Sequence, residues 1–174
     1  MQMLADILAM FLCTLFIASA APKLLHLSAF RELTAAYGVL PGPLARVLGS
    51  LLPFAELSGA ALLCHPKTAL CGSLILLLLL FGFAWAVSAV LRAKKTVRCG
   101  CYGKFLDARA DRFTLIKIGI LTAAAITVLI RSFSHPVRPS PESFFFGSFL
   151  TACLLAAQAV WTHHAKAMDR LKNR

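Results

Sequence analysis

The stretch SLILLLLLFGFAWAV (73–87) decides the architecture: it is almost wholly apolar, rich in leucine and phenylalanine, and lies inside an uncharged run covering 69–91. A hydrocarbon core about 30 Å thick takes about 20 helical residues to cross, so this run is long enough to span a bilayer. The same pattern recurs on both sides of it, at about 4–21, 44–63, 113–130 and 144–161. Of 174 residues, 59% are hydrophobic and only 14% charged, with a mean hydropathy of +0.79, against roughly 25% charged residues in soluble domains. The expected fold is an all-α integral membrane protein of five transmembrane helices, with residues 1–174 as a single membrane domain in the lipid bilayer. The first run begins MQMLAD, without Lys or Arg, and ends SAAPKLL, without a convincing cleavage site, so it reads as a retained helix and not a secretory signal.

The formal net charge of +11 would suggest nucleic acid in a soluble protein, but here the cations cluster at the ends of spans, and no nucleic-acid partner is expected. With five spans, one membrane face collects Lys23, Arg31, Arg46, Arg92, Lys94, Lys95, Arg98, Lys104, Arg109, Arg112, Lys166, Arg170, Lys172 and Arg174, fourteen in all. The other collects three, Lys67, Arg131 and Arg138, and Lys117 lies just inside the fourth span. The positive-inside rule then puts the N-terminus outside, and the C-terminus and the 92–112 loop on the cytoplasmic side of a bacterial inner membrane.

Between the first two spans, Leu24, Leu27, Phe30, Leu33 and Tyr37 recur at helical spacing before Gly38 and Pro41-Gly42-Pro43. This predicts an amphipathic interfacial helix halted by helix breakers. Glu56 falls near the middle of the second span, one turn after Pro53 and one before Gly59. A carboxylate at membrane depth is costly unless protonated or paired, which makes it a functional candidate. Lys23 and Lys117 are its candidate cationic partners; a protonated Glu56 bonded to backbone freed by Pro53 is the structural alternative. Ala55, Ser58, Gly59 and Ala60 would admit a neighbouring helix at close range. SFFFGSF (143–149) reads as an aromatic belt, with Trp161 at the opposite interface and His163-His164 in a solvated tail.

The six cysteines divide by surroundings. Cys13 and Cys153 lie inside spans, where free cysteine commonly behaves as a small buried hydrophobe. Cys64 and Cys71 flank the HPKTAL turn at a spacing that permits a disulfide, a candidate second redox pair. Cys99 and Cys101 stand in VRCGCYGK (97–104). Arg98, Lys104, Lys94 and Lys95 would favour their thiolates, and Gly100 and Gly103 leave the backbone free to turn. Such a closely spaced pair is suited to exchange more than to a permanent staple. Two rival readings stay open: the thiolates as ligands of a soft ion such as Cu(I) or Zn(II), although a closed site usually needs four ligands, or incidental loop thiols.

The order of Ala21-Pro22-Lys23-Leu24, the Tyr37 to Pro41 segment, the Pro53 to Gly59 segment and the basic Cys99 to Gly103 loop resembles the methylamine-utilisation protein MauE family, within the wider group of DoxX-like membrane proteins. The similarity covers roughly residues 1–131. It implies a four-helix DoxX-like bundle plus a C-terminal fifth helix, acting in thiol–disulfide chemistry with a thioredoxin-like protein or a disulfide-containing substrate protein. In MauE itself the link is to disulfides of a periplasmic dehydrogenase subunit. By that resemblance Cys99 and Cys101 are the redox-active pair, with Arg98, Gly100, Tyr102, Gly103, Lys104, Glu56, Lys23 and Lys117 supporting. Tyr102 stands where phenylalanine is common, and Ile116-Lys117 where the family often has Arg and a small polar residue.

The resulting expectation is a membrane thiol–disulfide oxidoreductase or redox-relay component. Its alternatives are a carrier of a soft metal or small sulfur compound, or a non-catalytic docking subunit. No resident metal is expected and no cofactor is identified, although a quinone between helices would serve as an electron acceptor. Periplasmic chemistry is simplest with the Cys99/Cys101 loop outside, whereas the charges place it inside; a relay from that loop to Cys64/Cys71 would reconcile the two.

Overall fold

A computed structural model describes residues 2–93, 112–134, 137 and 139–172. The described residues form six helices and short connecting segments: α1 (Gln2–Leu25), α2 (Leu27–Ala36), α3 (Gly42–Leu63), α4 (Ala69–Arg92), α5 (Arg112–Ser134) and α6 (Pro141–Lys172). All but α2 are long and apolar enough to cross a membrane. The chain has the architecture of an all-α integral membrane protein.

Each helix extends beyond its apolar run because polar residues at its ends still complete backbone hydrogen bonds. α1 passes through Pro22 to Leu25, and the Pro22 carbonyl accepts from the His26 amide at 3.1 Å. α2 follows after a single break at His26, occupying the predicted interfacial segment. It stops where Gly38 adopts φ 63°, a conformation that glycine takes without steric cost. Pro41 then caps α3. α6 runs to Lys172, so His163 and His164, expected in a tail, instead project from a helix.

Helix α1 is the hub, packing on α3, α5 and α6, and α4 packs between α3 and α5. The most apolar helix is not the most buried: α4 sheds leucines and aromatics outward, with Leu74, Leu78, Phe81 and Trp85 exposed along one stripe. Phe144, Phe145 and Phe149 do the same on α6. Lys23, Glu56, Ser73, Thr114, Lys117, Thr151 and Gln158 are buried instead. This inversion is what a hydrocarbon solvent selects, since lipid tails solvate leucine well and polar groups badly.

Small residues set the closest contacts. A Cβ on Gly72 would strike the Gly59 carbonyl and the Leu63 backbone, so α3 and α4 meet there almost backbone to backbone. Gly59, predicted to admit a neighbour, faces Leu76 of α4; Ser58, from the same predicted group, is exposed. Gly147 likewise brings α6 against Met10 and Phe11 of α1, and one turn on the hydroxyls of Thr14 and Thr151 bond at 2.7 Å.

Candidate functional site: a buried ion pair and an intramembrane disulfide

Lys23 lies one residue past the proline of α1, and its side chain turns into the bundle, where it is 2% exposed. It forms a salt bridge with Oε1 of Glu56, which is 0% exposed. Of the two candidate partners, the bundle selects Lys23. Ser19, one turn before Lys23, completes the centre: its Oγ accepts from Lys23 Nζ at 3.0 Å and donates to Glu56 Oε2 at 3.4 Å. The Phe30 and Phe83 rings cover the ammonium, their centroids 5.3 and 5.2 Å from Nζ. Each ion is thus compensated by its partner, by hydrogen bonds and, for the cation, by aromatic faces, which is what makes burial of two charges tolerable.

Lys117 is separate from this centre, donating to Gln158 Oε1 of α6 at 2.9 Å. The burial of Lys23 removes it from the cations expected at the membrane surface.

The cysteines differ from the expected pattern. Cys64, the C-cap of α3, forms a disulfide with Cys13 in the middle of α1, at a Cα–Cα distance of 6.7 Å and a sequence separation of 51. It does not pair with Cys71, which is free and exposed at the start of α4. Closeness along the chain suggested the Cys64/Cys71 pair; antiparallel packing of α1 on α3 puts Cys13 closer in space. Cys13 is therefore a bonded cysteine and not a free hydrophobe. Cys153 lies on the exposed face of α6 instead of in the core.

Along α1, about 15 Å separates Cys13 from Lys23, taking 1.5 Å per residue. The disulfide lies toward the α3–α4 turn, and the ion pair toward the end where α1 stops and α3 begins. Helix α4 leads from the first of these ends to the other, so its last residue, Arg92, lies at the end opposite the disulfide. Arg98, Cys99, Gly100, Cys101, Tyr102, Gly103 and Lys104 themselves lie outside the described residues.

A cavity of about 280 Å³ opens beside the ion pair, between α2, α3 and α4, with Lys23, Phe30, Tyr37, Gly82, Phe83 and Trp85 among its walls. Neither it nor the participation of Ser19, Phe30 and Phe83 was foreseen. The i, i+4 spacing of Ser19 and Lys23 was the available signal for the serine; the aromatic covers are unremarkable in an apolar sequence.

The family model for methylamine utilisation protein MauE matches residues 1–131. The chain belongs to the MauE family. Similar proteins include the methylamine utilization protein MauE of Paracoccus denitrificans, 31% identical over 122 residues, which cover 70% of this chain and 66% of that one. That of Methylorubrum extorquens is 29% identical over 136 residues, 77% of this chain and 71% of the relative. That of Paracoccus versutus is 34% identical over 118 residues, 67% and 63% respectively. The chain thus spans about two thirds of the length of these MauE relatives. No solved structure matches it. The matched region contains α1 to α4 and most of α5, and so includes the Lys23–Ser19–Glu56 centre and both bonded cysteines.

Proposed function

We propose that this MauE-family protein is a membrane thiol–disulfide oxidoreductase or redox-relay component, working as one membrane domain through Cys99 and Cys101, in methylamine utilisation as its relatives' names indicate. The observation that carries the reading is the Cys13–Cys64 disulfide inside the bundle, on a chain that also bears a closely spaced cysteine pair in a basic segment. A disulfide in the helix bundle is already the oxidised half of a thiol–disulfide couple.

In this reading one thiolate of the Cys99/Cys101 pair attacks a disulfide of a thioredoxin-like or substrate protein. A mixed disulfide forms, the partner's other sulfur leaves as a thiolate, and the second cysteine of the pair resolves the intermediate. The pair ends oxidised and the partner reduced, and the reverse sequence oxidises the partner. Arg98 and Lys104 favour the thiolate by their charge, and Gly100 and Gly103 give the backbone room to close the ring. Any transmembrane relay has Cys13 and Cys64, in place of Cys64 and Cys71, as its second couple. Lys23 and Glu56 organise the α1–α3 contact between the two ends. The positive-inside rule supports a bacterial inner membrane location with the N-terminus outside and the Cys99/Cys101 segment cytoplasmic.

Replacing Cys99 or Cys101 by Ser should abolish disulfide exchange with the partner while leaving the protein in the membrane; exchange at the wild-type rate in both variants would sink the proposal. A membrane-impermeant maleimide applied to intact cells, before and after reduction, reports the side of the pair and its redox state together.

A further inference from the structure

We infer that the cavity between α2, α3 and α4 is a binding site for the ring of a membrane-soluble quinone, with Lys23 as the hydrogen-bond donor to a ring carbonyl. Four observations converge on this ligand class. The walls are apolar and aromatic, with Phe30, Tyr37, Phe83 and Trp85 around the space, and flat rings pack favourably against such faces. Its volume of about 280 Å³ lies just below the range for drug-sized sites, roughly 300–1,000 Å³. That accommodates one or two fused rings while an isoprenoid tail stays among the lipid chains.

The third observation is the polar group at the inner wall. Lys23 lines the cavity; its ammonium donates to Ser19 and Glu56 and carries a third N–H, which an acceptor would take by entering between the Phe30 and Phe83 rings that cover it. The fourth is charge. Lys23 and Glu56 together are neutral, so an anion such as a fatty-acid carboxylate would gain the cation only against repulsion from Glu56 at low dielectric. A neutral carbonyl meets no such opposition. A largely apolar space whose one charged wall residue is paired to neutrality selects an uncharged acceptor that arrives through the lipid.

The site stands on this geometry alone. What the occupant does there rests on the thiol–disulfide reading: two thiols becoming a disulfide release two electrons and two protons, and a quinone taking up both becomes a quinol. The Lys23–Ser19–Glu56 centre lies beside the ring position as the group through which protons reach it.

The test uses the full-length protein in lipid nanodiscs, titrated with decylubiquinone and followed by tryptophan fluorescence, which quinones quench. Trp161→Phe leaves Trp85, on the cavity wall, as the single reporter. Saturable quenching is expected. Gly82→Phe should abolish it, because a Cβ at Gly82 meets nothing within 4 Å and the added ring enters the cavity without displacing its walls. An unchanged thermal midpoint in that variant excludes misfolding. The paired change Lys23→Met with Glu56→Gln, which leaves no unpaired buried charge, should weaken binding by about tenfold or more, as expected for loss of a hydrogen bond from a charged donor. Quenching that rises linearly without saturation, or survives Gly82→Phe, would overturn the site. So would saturable binding of a brominated fatty acid in place of the quinone. Because binding is read without thiol turnover, a quinone site in a protein inactive in disulfide exchange would refute the redox reading and leave this one standing.

Discussion

Helices α1 and α3 are joined twice, about 15 Å apart along α1, by bonds of opposite character. At one end the Cys13–Cys64 disulfide links them covalently; at the other, Lys23 and Glu56 link them by charge. The covalent link depends on redox state, and its sulfurs need little from their surroundings beyond the 3.4 Å contact of Cys13 Sγ with the Ala60 carbonyl. The ionic link is insensitive to reductant but needs its environment everywhere: Ser19 between the two ions and two phenyl rings over the cation. One helix pair thus carries a switchable clamp and a permanent one, and opening the first need not separate the helices while the second holds.

That comparison breaks most severely at the ionic end. Lys23→Met should destabilise the bundle by about 3–5 kcal/mol, because Glu56 is left as an uncompensated buried charge; the double variant Lys23→Met with Glu56→Gln should recover most of the loss. Thermal unfolding in detergent measures both, and equal losses in the two variants would show that the pair is not a coupled unit. At the covalent end, Cys13→Ser should cost about 2–4 kcal/mol by freeing a loop of some fifty residues. Unfolding of the wild type in reductant should then coincide with that of Cys13→Ser, whereas Cys71→Ser should respond to reductant as the wild type does.

Smaller changes separate each clamp from its surroundings. Gly72→Leu forces α4 away from the turn of α3 that ends in Cys64, at about 1–3 kcal/mol, and should raise the reactivity of the disulfide toward a small reductant while sparing the ion pair. Thr151→Val removes the hydroxyl contact between α6 and α1 and should cost about 0.6 kcal/mol, typical of a hydrogen bond between membrane helices. Thr14 adjoins Cys13 along α1 but bonds to α6 and not to α3, so this variant is the control for direction: a change in its reductant sensitivity would show that the α1–α6 contact, and not only the α1–α3 contact, governs the disulfide.

Much of this arrangement was legible in the sequence. Five apolar runs, the break at Gly38 and Pro41, and an ionisable residue in mid-membrane all follow from local composition, which a bilayer reads almost residue by residue. Glu56 was singled out because its position alone is energetically abnormal. Lys23 reads from the sequence both as a partner of Glu56 and as a surface cation, because the sequence does not reveal that α1 continues helical through Pro22 and turns that side chain inward. The cysteine pairing depends on distance in space, which the sequence does not carry: seven residues across a turn separate Cys64 from Cys71, yet Cys64 bonds Cys13 at a separation of 51.

Apolar length and charge placement therefore determined that the chain lies in a membrane as five helices with a carboxylate among them, since the cost of exposing polar groups to lipid dominates every other term. Tertiary packing decided which cation met that carboxylate, which cysteines bonded and where a cavity was left beside them. Those outcomes depend on the rotation and vertical offset of α1 against α3 and on the continuation of α1 through Pro22, which no local pattern records.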